Sequence, residues 1–235
     1  MEPIRISAKN LGYTALEKFC PRCYWLKLKL SHKLPWQSFP GIFSSIDAYT
    51  KSCMHHIIDT VNPKPDWMAG IGDIVGYEKV PHWSKSLYVD PKTNITLSGV
   101  PDDIWVKSDG SKVIPDYKTA KHTDAQDKLL PMYEIQGNVY SILIDKTAEI
   151  CLIYMEPETT KSDAEINIVD TGFKMGFKAI VVPVETDRSK VRAALTITRE
   201  IFDMEKPPDR AIGCKECDLL DGVLMEIAKG EKTYG

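Results

Sequence analysis

Gly99-Val-Pro-Asp102-Asp103-Ile104-Trp105-Val-Lys-Ser-Asp109-Gly110-Ser-Lys-Val-Ile-Pro-Asp116-Tyr117-Lys118-Thr119 is the stretch that decides the fold. Ile95 to Val106 and Lys112 to Tyr117 are rich in β-branched and aromatic residues, and Asp109-Gly110 between them is the strongest hairpin signal in the chain. Two strands joined there run antiparallel. An acid at the start of the first and another at the end of the second then meet at one sheet edge, which makes Asp102 and Asp116 neighbours. Asp116 and Lys118 are two apart on an extended strand and project from the same face. Two carboxylates and an ammonium converge on one spot.

Hard divalent ions such as Mg2+ and Mn2+ prefer oxygen ligands and keep several waters, so two carboxylates and a backbone carbonyl suit them. The carbonyl of Tyr117 is placed to be the third. A metal there polarises a phosphoryl oxygen and lowers the pKa of a bound water, while Lys118 orients the nucleophile or stabilises developing negative charge. The chemistry indicated is phosphodiester hydrolysis.

Outward from the hairpin, Tyr77 to Val80 and Ser86 to Val89 precede it as strands, with a turn signal at Asp90-Pro91. A helix is predicted from about Thr123 to Leu143, with Leu129, Ile135, Val139, Ile142 and Leu143 on its apolar face. Ile150 to Met155 is a buried strand, Glu165 to Val169 and Lys178 to Val184 a further pair, and Asp187 to Phe202 an amphipathic helix with Asp187 as N-cap. Before the sheet the chain is mainly helical: a short helix after Ser7, a break at Cys20-Pro21, a second helix to about Leu30, and a third from about Ser45 to Thr60, ended by Asn62, Pro63 and Pro65.

The chain has 235 residues, 43% hydrophobic and 27% charged, with no apolar run near the ~18 residues of a membrane span. That balance excludes a fibre, a disordered chain and a membrane protein. Met1-Glu-Pro-Ile-Arg lacks the basic start and apolar stretch of a signal peptide, so an intracellular (cytoplasmic) protein is expected. Lys plus Arg is 30 against 33 Asp plus Glu, a formal charge of -3, so any nucleic-acid surface must be a local patch. Lys27, Lys29 and Lys33, and Lys118, Lys121, His122 and Lys128, are candidate patches. Trp25, Trp36, Trp67, Trp83 and Trp105 divide between a stacking platform and the core. Of six cysteines, Cys20 and Cys23 form one C-x2-C pair and Cys214 and Cys217 another, while Cys53 and Cys151 stand alone. In a reducing compartment such pairs indicate metal rather than disulfides, and four thiolates suit either tetrahedral zinc or a 4Fe-4S cluster.

The chain resembles the PD-(D/E)xK nuclease superfamily, in particular its RecB-like branch. That branch carries a G-x-x-D strand, a D-x-K strand and a helix with Q-x-x-x-Y. Here they stand in order as Gly99 to Asp102, Asp116-Tyr117-Lys118, and Gln136 to Tyr140. The resemblance implies that Gln136 and Tyr140, on one helix face, reach the active site or the DNA strand. It also implies a metal-binding His or Glu on the helix before the sheet. His55 is the candidate, His56 its rival and Glu78 a further acid, although the usual glycine before the histidine is missing.

Ser7 to Cys23 is similar to the opening of this branch, a helix leading into Cys-Pro-Arg. In its iron-sulfur members, the CRISPR-associated RecB-like exonucleases among them, one cysteine there joins three near the C-terminus around a 4Fe-4S cluster. This chain departs from that pattern, with two cysteines at each end. The resemblance tips the choice toward 4Fe-4S, with zinc as the alternative.

The fold expected is α/β, a restriction-endonuclease-like core with a central mixed β-sheet flanked by helices and a helical N-terminal segment. It forms one domain over 1–235: residues 1–70 mainly helical, 71–205 the nuclease core, 206–235 the cysteine-bearing end. The implied function is Mg2+- or Mn2+-dependent cleavage of DNA, with exonuclease action on single strands favoured and protein partners in a DNA-processing complex. Rival readings are a non-catalytic nucleic-acid-binding or adaptor subunit on the same scaffold, and a zinc-stabilised interaction module. The motifs leave open the host pathway, exo against endo action, polarity and oligomeric state.

Overall fold

A computed structural model describes residues 1–31, 40–123 and 128–231. Lys33 and Trp36, and residues 124–127 of the expected helix, lie outside them. Strands β1 (Ile4–Ser7), β2 (Ile74–Tyr77), β3 (Leu87–Asp90), β4 (Ile95–Ser98), β5 (Trp105–Lys107), β6 (Lys112–Lys118), β7 (Glu149–Pro157), β8 (Ile168–Val169), β9 (Gly172–Phe173) and β10 (Phe177–Val184) are joined by helices. These are α1 (Ala8–Gly12), α2 (Pro21–Lys29), α3 (Gly41–Thr60), α4 (Leu130–Leu143), α5 (Lys161–Ile166), α6 (Arg188–Asp203) and α7 (Lys215–Glu231). Among the described residues no helix is long and apolar enough to cross a membrane.

The main sheet has five strands in the order β10-β7-β6-β5-β2. It is mixed: β6 and β7 are parallel, and the other neighbours antiparallel. A three-stranded sheet, β1-β4-β3, stands beside it. The expected strand from Ile95 to Val106 is two strands, β4 and β5, which belong to different sheets because Gly99 to Ile104 leaves the extended ladder. β1 and α7 were not predicted. The expected strand Glu165 to Val169 survives only as β8, Ile168–Val169, paired with β9; Lys161–Ile166 is a helix, closed by a capping box between Thr160 and Asp163, and β10 pairs with β7.

Successive side chains on a strand point to opposite faces, and β6 separates two cores on that basis. Val113 and Tyr117 face one cluster with Met54 and Ile58 of α3. Ile114 faces the other, with Ile135 and Val139 of α4 and Val191 and Leu195 of α6. Helices therefore cover both faces, and Asp116 and Lys118 share the α4 side with Ile114. α4 begins Leu130-Pro131, where the missing proline N–H costs nothing in the first turn. Asp187 caps α6 as expected, its Oδ1 accepting from Ser189 N at 2.9 Å.

Candidate functional site

The turn between β5 and β6 holds Gly110 at φ 82°, the left-handed conformation a glycine adopts without strain, and Asp109 Oδ1 accepts from Ser111 N at 2.9 Å. It fixes the pairing Trp105 with Val113 and Val106 with Lys112. Residue 102 lies outside that ladder, yet Asp102 stays tied to β6. The link is direct: Tyr117 N donates to Asp102 Oδ2 at 2.7 Å.

Asp116 is buried. Lys118 makes an ion pair with its Oδ2, and Gln136 Nε2 donates to its Oδ1 at 3.2 Å. The same Gln136 nitrogen donates to Tyr140 Oη at 2.9 Å. The Lys118 ammonium lies 4.2 Å from the centroid of the Tyr133 ring. The D-x-K strand and the Q-x-x-x-Y helix thus meet in one hydrogen-bonded chain. Gly99 has a steric reason: a Cβ there would stand 2.8 Å from Tyr140 Cε1 and 3.2 Å from Ala8 Cβ.

Asp102, Tyr117, Lys118 and Tyr133 open onto a cleft of about 590 Å³, which Asp47 of α3 and Lys9 also line. Burial, and then the Asp116 charge, push the Asp102 carboxyl up to about 7, against the pull of the Tyr117 N–H. Gln136 Oε1 is buried without a hydrogen-bond partner among the described residues. Two carboxylates whose repulsion a cation would relieve, beside a free amide oxygen, fit a hard divalent ion.

His55 does not join this pair. Asp103, the next residue, is completely buried among groups of the α3 core. There it accepts from His55 Nε2 at 2.8 Å, Tyr117 Oη at 3.0 Å, Trp105 Nε1 at 3.2 Å and Ile104 N at 3.0 Å. His55 also stacks on Tyr77, with ring centroids 3.7 Å apart. His56 is exposed and bonds Thr60, and Glu78 is exposed and paired with Lys112. Asp103 was legible only as a second acid beside Asp102.

The tryptophans do not build a stacking platform among the described residues. Trp105 is fully buried, Trp67 packs against the α3 core, Trp25 donates Nε1 to Met204 O, and Trp83, half exposed, is covered by Arg5. Lys27 lies over Tyr13, Lys29 over Phe202, and His122 donates its N–H to Glu156, while Lys121 and Lys128 are exposed.

The second site joins the two ends of the described chain. Cys20 precedes α2 and Cys23 lies in its first turn, while Cys214 precedes α7 and Cys217 lies in its first turn. The four sulfurs all lie within 4.8 Å of one another, and among the described residues they are the one group of three or more His, Cys, Asp or Glu side chains close enough to share an ion. Burial raises the Cys20 thiol, but hydrogen bonds from the Ala211 and Cys23 backbone and from Cys214 and Cys217 outweigh it and bring it down to about 7. Burial pushes Cys217 up to about 11. Cys151 is buried elsewhere and Cys53 packs against the α3 core.

Fold and sites together define an α/β protein with a mixed sheet flanked by helices and a four-cysteine cluster able to hold a metal. The chain matches no protein-family model and no curated protein. Among solved structures, the crystal structure of SSO0001 is similar over 88% of this chain and 80% of that one, at 12% identity and a TM-score of 0.44.

Proposed function

We propose that this chain is a metal-dependent DNA nuclease of the PD-(D/E)xK type, RecB-like in its motifs, and that single-stranded DNA is its substrate. The observation that carries the reading is the bonded chain Lys118–Asp116–Gln136–Tyr140, which reaches through Lys118 the cleft that Asp102 also lines. Asp102, Asp116 and the main-chain carbonyl of Tyr117 would hold Mg2+ or Mn2+. A bound ion supplies Lewis-acid polarisation of a phosphoryl oxygen and a lowered water pKa.

The residues around it have separate tasks. Gln136 fixes Asp116 through Oδ1, and Tyr140 holds the Gln136 amide in that orientation. Lys118, held between Asp116 and the Tyr133 ring, offers its ammonium to the attacking water or to the charge that develops on the phosphate. Tyr117 couples the two acids: its N–H binds Asp102 and its hydroxyl binds Asp103. His55 is a clamp between α3 and the sheet in this reading rather than a ligand. Cleavage of end-labelled single strands and duplexes in Mn2+ tests the proposal. Mononucleotide release from one end indicates exonuclease action, internal fragments indicate endonuclease action, and strand binding without cleavage would favour the adaptor reading.

A further inference from the structure

We infer that the four-cysteine centre holds one tetrahedral zinc ion, not the 4Fe-4S cluster that the family resemblance implies. The sulfurs set the scale. Cys23 Sγ is 3.3 Å from Cys217 Sγ and 3.6 Å from Cys214 Sγ, and Cys20 Sγ is 3.7 Å from Cys217 Sγ. A zinc-sulfur bond of about 2.3 Å gives a tetrahedron with an edge of about 3.8 Å. In a 4Fe-4S cluster each cysteine takes its own iron and sulfides separate the irons, so the thiolates surround a body much larger than one ion. Sulfurs that all lie within 4.8 Å of one another match the edge of a single-ion tetrahedron more closely than the span of a cluster.

The sequence pattern agrees with the geometry. Two C-x2-C pairs, each at the start of a helix, present two thiolates from a single turn toward the partial positive charge of the helix end. All four positions are filled by the chain, which is the closed form of a structural site. Ala211 N donates to Cys20 Sγ at 3.4 Å. Four thiolates around a dication carry a net negative charge, and Arg22 adjoins Cys23 in the first turn of α2. Arg22 in turn grips Asp221 of α7 with two bonds of 2.7 and 3.1 Å. Leu219, Leu224, Met225 and Ile227 of α7 are exposed, so this helix has little packing of its own and the ion is its anchor on α2. The centre is then a redox-inert clamp, whether or not the acidic cleft cleaves DNA.

The test is metal and acid-labile sulfide analysis of the full chain, purified anaerobically from cells supplied with both iron and zinc. The expected result is one zinc per chain, no sulfide and a colourless solution, with zinc lost in Cys217→Ser and retained in Cys53→Ser. Should Cys217→Ser fail to fold, exchange of Co2+ into the unaltered protein gives a second reading, the intense visible absorption of a tetrahedral thiolate site. Iron at the centre, with or without sulfide, or four titratable thiols and no metal, would overturn the inference.

Discussion

Gln136 Nε2 stands 3.2 Å from Asp116 Oδ1, a helix and a strand brought together by one buried amide. The contact turns Asp116 from a solvated acid into a held one and leaves Gln136 Oε1 without a partner among the described residues. Gln136→Leu keeps the volume and removes the donor. Loss of such an outer partner is expected to lower metal affinity or cleavage by roughly 10- to 100-fold, read as a rightward shift in a Mn2+ titration of the rate. An unshifted titration would assign Gln136 to packing alone.

Gly99→Ala tests the contact from the other end. The new Cβ would stand 2.8 Å from Cε1 of the buried Tyr140 ring, so Tyr140 must shift and disturb its bond from Gln136. Overpacking of this kind costs about 1–3 kcal/mol. Denaturant unfolding should report that loss, with cleavage falling as well. A variant as stable and as active as the parent would mean the helix yields freely at this point.

Asp102 provides a pH signature. Its folded value of about 7 lies above the ordinary 3.8, so between those values the native state binds more protons than the unfolded one and stability falls as pH rises through that window. The full shift corresponds to a few kcal/mol at most. Asp102→Asn removes this slope while an amide oxygen still accepts from Tyr117 N. In buffer free of divalent cations, and without a chelator that would reach the cysteines, the variant should melt near the parent at pH 4 and above it at pH 8. Parallel melting curves across that range would contradict the assignment.

Asp103 and Asp102 are adjacent yet opposite in role. Asp103→Ala strands the Trp105, Tyr117 and Ile104 donors in a dry core, an expected loss on the order of 3–5 kcal/mol. His55→Ala removes one bond at the edge of that network and should cost about 1 kcal/mol, with the Mn2+ dependence of cleavage unchanged. A large loss of metal affinity in His55→Ala would return the histidine to the ligand set.

The hairpin, the D-x-K face, the helix with Gln136 and Tyr140 and the capped α6 were legible because each is written in local chemistry: a left-handed glycine, a two-residue period, a four-residue period, an aspartate cap. The pairing of the C-x2-C motifs was legible from spacing. What escaped depended on context. Ile4–Ser7 is too short for its alternation to stand out, and it gains its place by pairing parallel to β4. Ile95 to Val106 reads as one strand because nothing local reveals that its halves serve two sheets. α7 has no buried apolar stripe, since its anchor is the cysteine group. The helix Lys161–Ile166 did carry a signal, Thr160 three residues before Asp163, which was passed over for the β-branched residues that follow.

Lys118→Ala is the most direct test of the central claim. The account requires the unaltered protein to cleave single-stranded DNA in Mg2+ or Mn2+ and not without them. Loss of the ammonium that pairs with Asp116 should lower the rate about 10²-fold or more, with the melting temperature held within a few degrees. Cleavage by Lys118→Ala at the parental rate, or cleavage by the parent in the absence of any divalent ion, would contradict it.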